Sequence, residues 1–430
     1  MTPPPDPTPY DPTQYDTAQP TSSPPADGSS WAAEDRRARI TWSLLAEPSD
    51  AVALMARAAL GPAAALALVD DREIQGRDLL AALGGRMPGE TAAPDGDPPE
   101  RAARALSRWR ERRRRVDVEA VLEDAARRHL RLLTPQDDEW PELLNDLQET
   151  APHCLWVQGP GRLDQLVAGR SLALVGSRAS TPYGEDTAAT LGAAFAAGGG
   201  TVVSGGAYGI DAAAHRGALA AEDGTADGAT LAVLAGGLDR LYPRGNTTLL
   251  ERIREKHLLV SEAPPGTAPT RWRFLSRNRL IAALSQATVV VEASWRSGAL
   301  STARLADQLS RPVGAVPGPI TSAATAGCHR LIRERGAVLV TSPEDVLDLL
   351  PGGPAAGEGS FAVQDELDLL TPADRRVLDA VPPRSSISPA RIGDEIGFGP
   401  DAVGAALARL EVLGVVVMSG ERVRRARTTP

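Results

Sequence analysis

The chain has 430 residues, room for two to four domains; a hydrophobic content of 42% excludes a fully disordered polymer, while 41 glycines and 36 prolines predict long loops or tails. Its two cysteines, Cys154 and Cys328, exclude a disulfide scaffold or an all-cysteine metal site and point to a reducing, cytoplasmic compartment; no uncharged apolar run approaches the ~20 residues that span a bilayer. The formal charge of −9 argues mildly against nucleic acid, but its distribution matters more than its sum, and the basic residues are almost all arginine.

Residues 1–30 hold nine prolines and four aspartates with no basic residue, the composition of a disordered acidic tail. From 31 to 85, apolar spacing at Ile40, Leu44 and Leu45, then at Val52, Leu54, Met55 and Leu60, predicts a small helical domain. The stop and restart at Leu60-Gly61-Pro62 gives it a SAM-like or helix-hairpin-helix-like character. It is poor in basic residues, so docking or support suits it better than DNA contact. A linker follows at 86–100, then a basic helical connector at 101–131 with eleven arginines against five acidic residues. Such a run suits phosphate contact or, more simply, a solvated helix laced with ion pairs.

The texture changes at 132–350. Continuous apolar runs at Leu172–Val175, Thr201–Val203, Leu231–Leu234, Leu258–Val260, Thr288–Val291 and Val313–Val316 alternate with helical stretches, and Ala337–Val340 offers an edge strand. Runs without polar alternation are strands covered on both faces, so this is an α/β fold with a mostly parallel sheet. A linker at 351–370 leads to three short helices and two short strands at 371–424, the element order of a winged-helix-like domain, and residues 425–430 form a tail. The helix at Pro400–Leu413 has few side chains able to read base edges, so protein contact suits this domain better than duplex reading.

In an open parallel sheet, ligands gather at the carboxyl ends of the strands. Four polar clusters fall there. Gly176-Ser177-Arg178 follows one strand, and Ser204-Gly205 with Tyr208-Gly209 follows the next. Arg271, Arg273, Arg277, Asn278 and Arg279 enclose Trp272 and Phe274, joining phosphate-pairing forks to base-stacking faces. Ser297-Gly298 precedes a helix and offers amides to an anion. Asp211 and His215 share a helical face, as a local cap and packing contact rather than an acid–base pair, and one or two of the arginines are expected on Glu262 or Glu292. Neither a dinucleotide fingerprint, a phosphate-loop lysine, a metal-ligand spacing nor a nucleophile elbow is present, so no cofactor, metal or catalytic residue is assigned.

These motifs, in order, resemble the DNA-processing protein A (DprA/Smf) family: Val175-Gly176-Ser177-Arg178, Val203-Ser204-Gly205, Gly209-Ile210-Asp211, Gly237-Leu238-Asp239, Tyr242-Pro243, Arg277-Asn278-Arg279, Ser297-Gly298 and Val316-Pro317-Gly318. The resemblance covers about half the chain. It implies an extended Rossmann-like core that binds single-stranded DNA without sequence preference, protects the strand, helps load a RecA-type recombinase in transformation and recombination, and dimerises with its own kind. By the same carry-over, Ser177, Arg178, Ser204, Gly205, Gly209 and Arg279 line or support the DNA pocket, with Gly298 completing it. Tyr208 departs from the family's usual arginine, which either weakens one phosphate contact or replaces it by stacking. The alternative on the same fold is a nucleotide-binding enzyme such as a nucleoside monophosphate hydrolase.

Overall fold

The computed structural model describes residues 28–87, 97–221, 229–351, 371–382, 385–412, 415–420 and 422–426. Residues 1–27, the expected linker at 351–370 except its first residue, and Arg427 in the tail lie outside the described residues. The chain divides into two units, residues 1–354 and 355–430.

The first unit opens with helices α1 (Gly28–Leu45), α2 (Ala51–Leu60), α3 (Pro62–Asp70) and α4 (Gly76–Ala82), followed by α5 (Pro98–Arg113) and α6 (Val118–Arg127). α5 buries Ala102, Ala105, Leu106 and Trp109, at helical spacing, in the same apolar cluster as Trp42, Leu45, Ala53 and Leu79. The helical unit therefore runs past residue 85, and the linker expected at 86–100 enters its fifth helix. Trp42 and Trp109 meet edge to face with centroids 5.0 Å apart, and their indole N–H groups donate to Pro62 O and Asp50 Oδ2. The arginine run is largely spent inside this unit. Arg110 donates to the carbonyls of Leu68 and Val69 at the end of α3 and of Ile74 in the loop that follows, while Arg112 pairs with Glu47 and Arg113 with Asp70.

The core that follows is a nine-stranded sheet. Its strands are β1 (Arg131–Leu133), β2 (Leu155–Gln158), β3 (Ser171–Gly176), β4 (Thr201–Ser204), β5 (Ala229–Leu234), β6 (Leu258–Ser261), β7 (Ala287–Glu292), β8 (Val313–Ala315) and β9 (Val338–Leu339). Their spatial order is β1-β2-β6-β5-β4-β3-β7-β8-β9; only the β1–β2 and β2–β6 pairs are antiparallel. The intervening helices are α7 (Leu163–Ala168), α8 (Pro182–Ala197), α9 (Ile210–Ala221), α10 (Thr247–Lys256), α11 (Arg271–Ala283), α12 (Ala299–Gln308), α13 (Ala326–Arg335) and α14 (Pro343–Asp348).

Strand periodicity explains the two layers. Ala173 and Val175 of β3 face a cluster with Leu280 and Ile281 of α11 and Ala303 of α12. Leu172 and Leu174 face the other side, against Ala188 and Leu191 of α8 and Ala213 and Ala214 of α9. The chain builds outward from β3 to β6, then crosses to lay β7 on the opposite side of β3. The β3/β7 boundary is the topological switch point, where loops diverge and leave a crevice.

The second unit holds α15 (Pro372–Ala380), α16 (Pro389–Ile396) and α17 (Pro400–Val412), then an antiparallel ribbon of β10 (Val416–Ser419) and β11 (Arg422–Arg425). Val377, Ile392, Val403, Leu407, Leu410 and Val423 form its core. Arg409 of α17 is held by the buried Asp374, and Arg425 caps α15 at Leu378 O and Val381 O. Among the described residues no single helix is long and apolar enough to cross a membrane.

Candidate functional site

A cleft of about 660 Å³ opens at the switch point. Its walls are the β3–α8 loop (Gly176, Ser177, Arg178), the head of α11 (Arg271, Phe274, Leu275, Asn278) and the β7–α12 loop (Ser294, Arg296, Ser297, Gly298). The α11 positions follow helical spacing, 271, 274, 275 and 278, so one face of a helix forms one wall. Thr270 starts that helix by accepting from Arg273 N at 3.3 Å.

Three exposed arginines line the cleft, and none is committed to an ion pair among the described residues. The Arg178 guanidinium lies 4.2 Å above the Phe274 ring. Arg271 and Arg296 point from two other elements. Arg296 was not singled out in the sequence: a lone arginine between a tryptophan and a serine carries no pattern. Asp211 is the one carboxylate among the described lining residues, and it is buried. Burial raises its pKa, and the buried Arg277 opposes that rise. The cleft therefore presents net positive charge, with the Tyr242 and Phe274 rings 6.0 Å apart beside it.

Arg277 lines the cleft from a largely buried position. It is 5% exposed and donates to Val233 O at 3.1 Å, while its Nε has no partner. Burial lowers its pKa to about 10, Asp211 working in the opposite direction. A side chain at Gly205 would overlap the Arg277 guanidinium, which would have to shift to admit it.

Several expected contacts point elsewhere. Arg279 is 8% exposed and forks onto Glu262 with two 2.8 Å bonds; it also donates to Thr150 O and Ser276 O. It is absent from the cleft because its partner carboxylate stands at the end of β6, beneath α11. Ser204 is fully buried and donates to Leu174 O at 2.6 Å, joining β4 to β3 instead of meeting a ligand. The turn from Ser204 to Asp211 closes on itself: Ile210 N donates to Ser177 O, Ala207 N to Asp211 Oδ2, and Asn246 Nδ2 to the carbonyls of Gly206 and Ala207. Gly209 has φ +74°, and a Cβ there would strike Ser177 O. This glycine lets two loops touch.

Tyr208 is half exposed and accepts from Gly245 N at 3.2 Å, next to the cleft but outside its lining. His215 turns to Thr230 Oγ1 at 2.8 Å and not to Asp211; burial lowers its pKa to about 3. Glu292 is buried and takes Thr181 N and Oγ1, both at 2.8 Å, at the head of α8. At the head of α12, Ala299 N meets Ser297 Oγ and Ser301 N meets Gly298 O, so the first turn is partly self-satisfied; Asn278 Nδ2 donates to Gly298 O. Among the described residues, no group of three or more His, Cys, Asp or Glu side chains is placed to hold a metal.

Residues 131–351 match the family model for DNA recombination-mediator protein A. A DNA processing protein DprA of Mycobacterium tuberculosis is 48% identical over 315 residues, which cover 70% of this chain and 79% of that protein. A solved structure of DNA processing protein A from Streptococcus pneumoniae superposes with a TM-score of 0.54 at 30% identity, covering 73% of this chain and 96% of that one. The Smf protein of Escherichia coli is 41% identical over 249 residues, 56% of this chain and 63% of that protein. The chain belongs to the DNA-processing protein A (DprA/Smf) family.

Proposed function

We propose that this family member binds single-stranded DNA without sequence preference in the β3/β7 cleft, protects it and passes it to a RecA-type recombinase, acting as a homodimer and without cleaving bonds itself. The observation that carries this reading is the convergence of Arg178, Arg271 and Arg296, from three separate elements, on one cleft whose single lining carboxylate is buried. Three unpaired guanidiniums on different walls suit a chain of phosphates better than a single one. Phe274 and Tyr242 add faces on which any base stacks. Base-edge reading lacks a reader: Asn278, the lining amide side chain, spends its Nδ2 on Gly298 O. Residues 371–424 serve as a winged-helix-like module for protein contact, consistent with Arg409 being held by Asp374.

The test is binding of labelled single and double strands of several unrelated sequences at about 50 and about 200 mM salt, a range over which phosphate-dominated affinity falls steeply. Single strands of every sequence should bind with similar affinity and a strong salt dependence, and Arg178→Ala and Arg271→Ala should weaken all of them alike. Salt-insensitive binding, or displacement of the strand by micromolar mononucleotide, would overturn the reading in favour of a nucleotide site.

A further inference from the structure

The described tryptophans fall into two groups. Trp42, Trp109, Trp140 and Trp156 are at most 7% exposed, whereas Trp272 and Trp295 are 74% and 52% exposed. Leaving so large an apolar surface in water forgoes its burial energy, so a solvent-facing indole asks for a reason. Both exposed indoles stand next in sequence to a cleft-lining arginine without an ion pair: Trp272 follows Arg271 at the head of α11, and Trp295 precedes Arg296 in the β7–α12 loop. Neither indole lines the cleft itself. They border it at two separate elements.

The two differ in how they are held. Trp272 has no aromatic or cation contact among the described residues, although its carbonyl accepts from Ser276 Oγ at 3.0 Å and anchors its backbone in the first turn of α11. Trp295 is steadied on one side by the Arg330 guanidinium of α13, 4.7 Å from its ring centroid. Arg330 is itself paired with Glu334 at 2.8 Å, so each border combines an exposed π-face with one cleft guanidinium that has no ion pair, the pairing that holds an unpaired nucleobase and its phosphate.

We propose that Trp272 and Trp295 are base-stacking platforms that carry single-strand binding beyond the cleft, so that the bound strand is longer than the cleft alone would hold. This rests on the strand-binding reading and extends it from one crevice to a track with two aromatic borders.

The test uses the full chain and oligothymidylates of about 4 to about 20 nucleotides, the range of common single-strand site sizes. Affinity is measured by anisotropy and indole emission by iodide quenching. The parent should gain affinity with length beyond the shortest strands, and bound long strands should shield the exposed indoles from iodide. Trp272→Ala and Trp295→Ala should each weaken long-strand binding about 5-fold or more, and flatten the gain with length, while Trp→Phe at either site restores most of it. Thermal melts matching the parent's would assign the loss to stacking and not to the fold. If both alanine variants keep the parent's length dependence while Arg178→Ala weakens every length, the platforms are overturned and the cleft reading stands. If the parent binds no single strand, both fall.

Discussion

The Arg277 guanidinium occupies the space that a side chain at residue 205 would fill, so Gly205 and Arg277 are a fitted pair across the β4 and α11 elements. The charge is buried and held by Val233 O, so moving it aside costs that bond. Gly205→Ala should therefore destabilise the protein by about 1–3 kcal/mol through overpacking. In an Arg277→Ala background the same substitution should cost much less. A double-mutant cycle by chemical denaturation checks this, and additive losses would show that the two residues are not coupled.

Arg178 and Arg279, which stand in similar arginine-bearing motifs, should behave as opposites. Arg178 is exposed, its guanidinium stacks over Phe274 and it makes no ion pair among the described residues, so Arg178→Ala should weaken single-strand binding while leaving the unfolding free energy within about 0.5 kcal/mol of the parent. Arg279→Ala strands the buried Glu262 carboxylate and should cost about 3–5 kcal/mol of stability. Paired melting and binding measurements separate them; equal stability of the two variants would contradict the assignment.

His153 predicts an acid-sensitive fold. Its ring is buried, stacks on Trp42 at 5.9 Å, and neither nitrogen has a hydrogen-bond partner. Burial, with Arg57, Arg39 and Arg279 nearby, holds its pKa well below the ordinary 6.5. The unfolded chain takes up that proton once pH falls through about 6.5 while the folded chain does not, so stability declines from there toward acid. His215, at about 3, adds in the same direction. His153→Phe should remove about one proton from the difference between the states, flattening unfolding free energy between about pH 4 and 6. A slope unchanged from the parent would refute this.

Glu47 ties the helical unit to α11. It accepts from Arg273 at 2.9 and 3.0 Å and from Arg112 at 2.9 Å. Burial pushes its carboxyl up, and the two guanidiniums more than cancel that, leaving its pKa below the ordinary value. Glu47→Gln should cost about 1 kcal/mol or less in stability, as befits a partly exposed network. It should also speed amide exchange at the head of α11, read by hydrogen exchange.

The sheet was legible because β3 to β8 are short runs of Val, Leu and Ala that have no polar alternation. β1 and β2 were not: Arg131–Leu133 is three residues long, and Leu155–Gln158 gains its strand state from pairing with β6. The head of α11 is not legible as helix for a related reason. Arg271 to Ser276 shows no apolar period, since its faces meet a cleft, the Glu47 carboxylate and solvent, not one core. The site was legible as a set of loops at one sheet edge, but not the fate of each side chain within it. Arg279 finds Glu262 seventeen residues earlier, and only the tertiary fold decides whether such a fork meets a carboxylate or faces the cleft. The arginine run at 101–131 is legible as a helix laced with ion pairs, but its distant partners are not: Arg112 finds Glu47 and Arg113 finds Asp70 only in the tertiary fold.

Helix α11 serves several masters within three turns. Residues 271, 274, 275 and 278 face the cleft, 273 grips Glu47, 277 fills the space beside Gly205, and 279 locks Glu262. Hardly any position there can drift without disturbing a second task, so a saturation library of this segment should return a sparse map of tolerated substitutions. Through Glu47, the segment between the first two helices is tied to the same element that walls the cleft.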